Sequence, residues 1–145
     1  MNQPGYGVDE NAFIKPGVGD ESYWVMRLIN YPPLTSDLDS NLCREIDKRI
    51  ALSCGEHSDY GLLTLVNQDE NVEALQVQNR KGEWLFAPPL PNTFVCNIGD
   101  MLELMTNYEY KSTKHRVVNA HAGSNSRVSI PFFYEPNFDT LIEPG

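Results

Sequence analysis

Short apolar runs dominate the second half of the chain, and each is closed by residues that turn the backbone. Leu62 to Asn67, Ala74 to Gln78, Glu83 to Ala87, Thr93 to Ile98, His115 to Asn119 and Arg127 to Tyr134 are rich in strand formers, with turn-forming residues between them. Many short runs of this kind at regular spacing predict an all-β sandwich or barrel. An earlier run, Tyr23 to Asn30, is stopped at Tyr31-Pro32-Pro33, because proline donates no N–H and keeps the residue before it extended. Asn79 to Gly82 predicts a hairpin turn, and Gly99-Asp100 predicts the end of the strand carrying Val95 and Asn97. Pro131 falls inside the last run, which predicts an edge position or a bulge.

The period changes between these regions. Leu38, Leu42, Ile46 and Ile50 recur every fourth residue with charged residues between them, the pattern of an amphipathic helix. Ser36 can cap it, and Asp37 and Asp39 place negative charge at the positive end of its dipole. A helix packed on the outside of a β-barrel is expected. Residues 1–22 hold Pro4, Gly5, Gly7, Pro16, Gly17 and Gly19, too many breakers for a regular element, and read as an irregular lead-in. One domain over residues 23–139 then follows, with 140–145 as a tail.

The chain has 145 residues and a formal net charge of −9. That length suits a single domain with its own core. The negative balance argues against a nucleic-acid partner, which would require clustered Lys and Arg, and favours a small-molecule substrate. No apolar run reaches the ~20 residues needed to cross a bilayer, and the first residues lack the features of a signal peptide, so no membrane partner and a cytoplasmic location are expected. Cys43, Cys54 and Cys96 are odd in number and show no Cys-x-x-Cys spacing, which fits reduced thiols better than a disulfide framework or a zinc knuckle. Cys54 reads as a small buried apolar residue.

Candidate chemistry sits in two places. His57 and Asp59 are two apart, so in an extended segment they share a face and can hold one metal. His115 lies far enough downstream for several strands to intervene and deliver a third ligand from the opposite wall of a barrel. Two histidines with one carboxylate leave positions open on the metal, the arrangement of non-heme Fe(II) oxygenases. Arg127 and Ser129 are also two apart in a predicted strand, where a guanidinium and a hydroxyl can grip one carboxylate. A metal near a cation is as far as these residue types lead.

The ordered motifs go further. Gly55-Glu56-His57-Ser58-Asp59-Tyr60-Gly61 precedes Leu62-Leu63-Thr64-Leu65, Leu75-Gln76-Val77, Gly82-Glu83-Trp84 and Asn97-Ile98-Gly99-Asp100. Tyr110 to Val117, centred on His115, and Arg127-Val128-Ser129 complete the series. Together they resemble the catalytic domain of the 2-oxoglutarate and Fe(II)-dependent dioxygenases, in the branch related to isopenicillin N synthase. The resemblance implies a double-stranded β-helix, the cupin-like jelly roll, with one or two helices. It implies Fe(II) on His57, Asp59 and His115, with Arg127 and Ser129 gripping the distal carboxylate of 2-oxoglutarate and Tyr31 supporting the same ligand. O2 is the oxidant and ascorbate a candidate reductant. A small organic molecule would be hydroxylated or desaturated, with release of succinate and CO2.

The spacing from His115 to Arg127 is slightly wider than is usual in relatives, with Ala120 to Ser126 as a longer turn that contains a solvent-exposed His121. A register slip of one residue would turn Arg127 away from the metal. Asn97 and Asp100 read as turn formers, and Trp84, Phe86, Phe132 and Phe133 as core. Family members usually carry a helical N-terminal half, so this chain resembles a catalytic core, either a fragment or a reduced protein, for which self-association or a missing N-terminal region is expected. Two alternatives stay open: an oxidase like isopenicillin N synthase that uses no 2-oxoglutarate, and a truncated, non-catalytic jelly-roll binding module.

Overall fold

The computed structural model describes residues 19, 21–33, 52–70, 72–118 and 126–144. The helix expected over Leu38 to Ile50, Cys43, the turn holding His121 and most of the lead-in lie outside these residues. The described elements are β1 (Trp24–Met26), β2 (Ile29–Tyr31), β3 (Leu52–His57), β4 (Leu63–Gln68), β5 (Leu75–Gln78), β6 (Trp84–Phe86), β7 (Val95–Ile98), α1 (Asp100–Met105), β8 (His115–Val118) and β9 (Arg127–Tyr134).

Two antiparallel sheets form the jelly roll. The larger has the order β1-β9-β4-β7 with β2 also on β9, and the smaller the order β3-β8-β5-β6. The short polar and glycine-containing linkers do what their chemistry predicts. In the β5–β6 hairpin Gly82 adopts φ +82°, where a side chain would be strained. Asn79 holds the same turn by accepting from the N–H groups of Lys81 and Glu83 at 2.9 and 3.0 Å.

The expected first strand is split, and the cause is Pro131. β1 and β2 pair with β9 in one continuous register, Val25 opposite Phe133 and Ile29 opposite Ser129. Between them Arg27 N–H donates to the Pro131 carbonyl at 3.0 Å. Proline has no N–H to return, so the ladder loses a bond there and the strand breaks. β9 itself runs unbroken between β4 and the β1/β2 pair, which places Pro131 in a central strand. The edge or bulge expected there is corrected: the gap is taken up by the neighbouring strand.

The inner face of the larger sheet reads as rows of cross-strand partners. Phe133, Thr64 and Asn97 form one row, Pro131, Val66 and Val95 the next, and Ile29, Ser129 and Gln68 the third, with Tyr31 opposite Arg127 beyond them. The facing sheet supplies Leu75 and Val117, which join Val72 and Ala74 in a buried cluster packed by Tyr31, Cys54 and Val95. The aromatic side chains expected in the core are mostly elsewhere. Phe132 stacks on Trp24 at 5.7 Å on the outer face of the larger sheet, Trp84 lies under Arg116 on the outer face of the smaller, and Phe86 is 48% exposed. Alternation explains this: Phe132 and Phe133 must point to opposite faces, and only Phe133 shares the Thr64 row.

Truncating the interior at Leu75, which is 4% exposed, is expected to remove about 2–5 kcal/mol of stability. Urea unfolding of Leu75→Ala measures it, and a midpoint matching the parent would show that the two sheets do not pack through this residue.

Candidate metal centre

His57 ends β3 and His115 begins β8, and the two are cross-strand partners within the smaller sheet. Their rings lie 4.3 Å apart between centroids. The sequence places the third ligand on an opposite wall; instead both imidazoles stand side by side on one sheet. Asp59 lies just past the end of β3, in the loop that carries the chain across to β4. Its Oδ1 is 4.0 Å from His57 Nε2 and 3.6 Å from His115 Nε2. One ligand atom from each of the three residues falls within 4.8 Å of the others, close enough to share one ion.

The hydrogen bonds behind the triad decide which atoms face inward. His57 Nδ1 donates to the Gly55 carbonyl at 2.8 Å and His115 Nδ1 to that of Thr113 at 3.0 Å. Each bond assigns the proton to Nδ1 and leaves the Nε2 lone pair for a metal. Asp59 is treated likewise. Its Oδ2 accepts from Thr64 Oγ1 at 2.7 Å and from Asn97 Nδ2 at 2.8 Å, so Oδ1 is left to face the imidazoles. Asp59 and Thr64 are both buried, at 7% and 3% exposure, which strengthens these bonds.

The loop holding Asp59 is fixed by α1. Asp100 N–H donates to the Asp59 carbonyl at 2.8 Å and Met101 N–H to that of Tyr60 at 3.0 Å. The first turn of a helix has free N–H groups, and here the metal loop supplies their acceptors. Ser58 Oγ adds a bond to Asp100 Oδ2 at 3.1 Å. The approach is so close that a Cβ on Gly99 would clash with the Gly61 carbonyl oxygen. Farther along α1, Glu103 accepts from Ser112 N–H at 2.6 Å and directs the chain back into β8 and His115.

The Cys54 sulfur at 3.8 Å, then the Gly55 carbonyl and the charges of Cys54 and Asp59, raise the His57 pKa to about 9 against the lowering effect of burial. The Gly55 bond is the shorter and better placed of the two contacts to Nδ1. A metal entering this site must therefore displace a proton from His57.

Arg127 is 2% exposed and Ser129 5%, side by side on the inner face of β9. Burial lowers the Arg127 pKa, while Tyr31 and Asp69 raise it; the guanidinium stays charged. Nη2 donates to Gln68 Oε1 at 2.9 Å, but Nε and Nη1 are buried with no hydrogen-bond partner among the described residues. Arg116, the other buried arginine of the described residues, is differently placed: its Nε donates to Gln76 at 2.8 Å and its guanidinium lies 4.1 Å from the Trp84 ring. Unpaired buried donors cost on the order of 1–3 kcal/mol each, a cost that a carboxylate bound at Arg127 would offset. The register that brings Arg127 inward is the one its spacing from His115 left in question. Tyr31 stands opposite, its ring 5.4 Å from the guanidinium carbon. Burial raises its pKa above the ordinary value, which keeps the phenol protonated and able to donate.

Comparison with known proteins identifies the family. Residues 23–136 match the family model of the 2OG-Fe(II) oxygenase superfamily. The chain belongs to that superfamily. It is 52% identical over 138 residues to homoarginine-6-hydroxylase 2-ODD-C23 of Glycine max and 49% identical to a homoarginine-6-hydroxylase of Oryza sativa, covering 95% of this chain and 39% of each relative. Among solved structures it resembles a full-length Neurospora crassa protein in complex with alpha-KG and thymine, with a TM-score of 0.79, 35% identity, and coverage of 96% of this chain and 40% of the other. The 2-oxoglutarate complex of a dioxygenase for auxin oxidation from Arabidopsis thaliana aligns with a TM-score of 0.76 at 30% identity over 96% of this chain and 46% of that one. The chain thus spans about two fifths of the length of these two curated relatives.

Thr64 and Asn97 are the residues that inspection of the sequence misses. Asn97 reads as a turn former, yet it faces Thr64 across β4 and β7 and both reach Asp59. The available signal is alternation: a polar Thr and Asn at inward positions of otherwise apolar strands need a buried partner. Thr64→Val or Asn97→Ala is expected to weaken Fe(II) binding about 10–100-fold, read by anaerobic titration, with secondary structure retained. In the same titration affinity should tighten by roughly tenfold per pH unit between pH 6 and 8 as the His57 proton becomes easier to displace; a flat pH profile would contradict the raised His57 pKa.

Proposed function

We propose that this chain is the catalytic core of an Fe(II)- and 2-oxoglutarate-dependent oxygenase that oxidises a small organic molecule, with His57, Asp59 and His115 holding the metal. The observation that carries this reading is the pairing, in one sandwich, of that triad with a buried arginine that has two nitrogens without a hydrogen-bond partner among the described residues. Along the inner face polar groups stand at both ends, Thr64 and Asn97 beside Phe133 and Ser129 and Gln68 beside Ile29, with the apolar Val66, Pro131 and Val95 between them. Four residues along β4 separate Thr64 from Gln68, about 13 Å at the rise of an extended strand. That sequence of surfaces complements a diacid whose ends are joined by methylenes. A shallow, solvent-open cleft lined by Val66, Gln68, Leu90 and Val95 meets the apolar row.

Iron and 2-oxoglutarate, when bound, supply the oxidising chemistry with O2, releasing succinate and CO2. The protein's part is positional. The Nδ1 bonds to Gly55 and Thr113 turn both Nε2 atoms to the inward side, where a metal would take the place of the His57 proton, and Thr64 and Asn97 keep Asp59 Oδ1 turned to the same point. Arg127 and Ser129 would take the far carboxylate, with the Tyr31 phenol as a further donor. Ascorbate would serve only to restore ferrous iron.

Within the superfamily we keep the isopenicillin N synthase-like branch as the expected setting, on the ordered motifs quoted above. The homoarginine hydroxylases make a basic amino acid the first substrate to try. No described helix is long and apolar enough to cross a membrane. The free thiols of Cys54 and Cys96 suit a cytoplasmic site.

Anaerobic addition of 2-oxoglutarate to the Fe(II) protein should produce a metal-to-ligand charge-transfer band, and air should then yield succinate that a His57→Ala variant does not make. Turnover without 2-oxoglutarate would point to the oxidase alternative. A band with no succinate under any substrate would point to a binding module.

A further inference from the structure

We propose that Gln68 is a positioning residue that sets how Arg127 meets an incoming acid, and so determines the preference for a 2-oxo diacid over a 2-oxo monoacid. This rests on the function proposed above. Gln68 is buried on β4 directly opposite Ser129. Its side-chain amide is committed at both ends: Nε2 donates to the Ala87 carbonyl at 3.1 Å, and Oε1 accepts from Arg127 Nη2 at 2.9 Å.

The first bond fixes the second. Ala87 follows β6, and its own N–H donates to the Leu75 carbonyl at 2.9 Å, so the acceptor for Gln68 is anchored to the smaller sheet. With Nε2 held there, the amide oxygen must face Arg127, and it holds one of the three guanidinium nitrogens. The remaining two, Nε and Nη1, are buried and have no hydrogen-bond partner among the described residues. A neutral acceptor at this position orients the arginine while leaving its charge whole. A carboxylate at the same position would pair with the guanidinium and occupy the charge an incoming diacid needs. An apolar side chain of similar length would leave the guanidinium free to turn.

The test uses the full chain loaded anaerobically with Fe(II), titrated with 2-oxoglutarate and separately with 2-oxopentanoate, which keeps the chelating end and has a methyl group in place of the second carboxylate. Binding is read from the charge-transfer band, and folding from thermal melting by circular dichroism. Gln68→Glu should weaken 2-oxoglutarate binding at least about tenfold, and Gln68→Met about three- to tenfold, with 2-oxopentanoate binding within about twofold of the parent in both. Should Gln68→Glu not fold, Gln68→Met carries the comparison alone. Equal losses for both acids, or no loss for the diacid, overturn the proposal. An Arg127→Met control separates the two levels: if the parent shows no diacid preference, or Arg127→Met keeps it, the co-substrate anchor itself is wrong and the role of Gln68 goes with it.

Discussion

A buried carboxylate with one oxygen restrained and the other left open is the constraint on which this site depends. Asp59 would be costly to bury if its charge were unanswered. Two neutral hydrogen bonds, from Thr64 and Asn97, satisfy only one side of it. The other oxygen faces the Nε2 atoms of two imidazoles whose Nδ1 groups are tied to backbone carbonyls. Three ligand atoms thus converge on one point, with a proton on His57 answering part of the carboxylate's charge, and a divalent cation displacing that proton would answer it with all three.

Much of the architecture could be read from the chain. Turn residues and apolar runs located β4 to β9 to within a residue or two, because alternation and chain reversal are local properties, whereas β3 was not among those runs and β1 and β2 were read as one strand. Arg127 and Ser129 share an inward face as their spacing implied. What escaped was whatever depends on neighbours. Six residues from Asp100 are too short to announce a helix by periodicity, and α1 exists because the carbonyls of the Asp59 loop receive its first N–H groups. Pro131 could be recognised as disruptive, but which strand gives way is decided by register. The placement of His115 beside His57 required knowing that β3 and β8 pair, and nothing local to either segment records that.

The outer face of the larger sheet is a second feature set by alternation. Every strand that turns a polar or small residue toward the cavity turns a large one outward, and Trp24, Met26, Phe132 and Leu65 form a continuous apolar surface there. Trp24 and Met26 are more than half exposed, and Leu28 is 72% exposed. Patches of this character usually mark a contact surface. The relatives are more than twice as long as this chain, so in them additional chain is present that a core of this kind can pack against.

The position of Asp59 on a crossing loop carries a mechanical consequence. His57 and His115 belong to one layer of the sandwich, whereas the groups that orient Asp59 stand on the other. A cation held by all three therefore acts as a rivet through both layers. Any ion that binds only this closed arrangement stabilises the whole sandwich by mass action, so the layers' freedom to slide or part is linked to how much metal surrounds the protein.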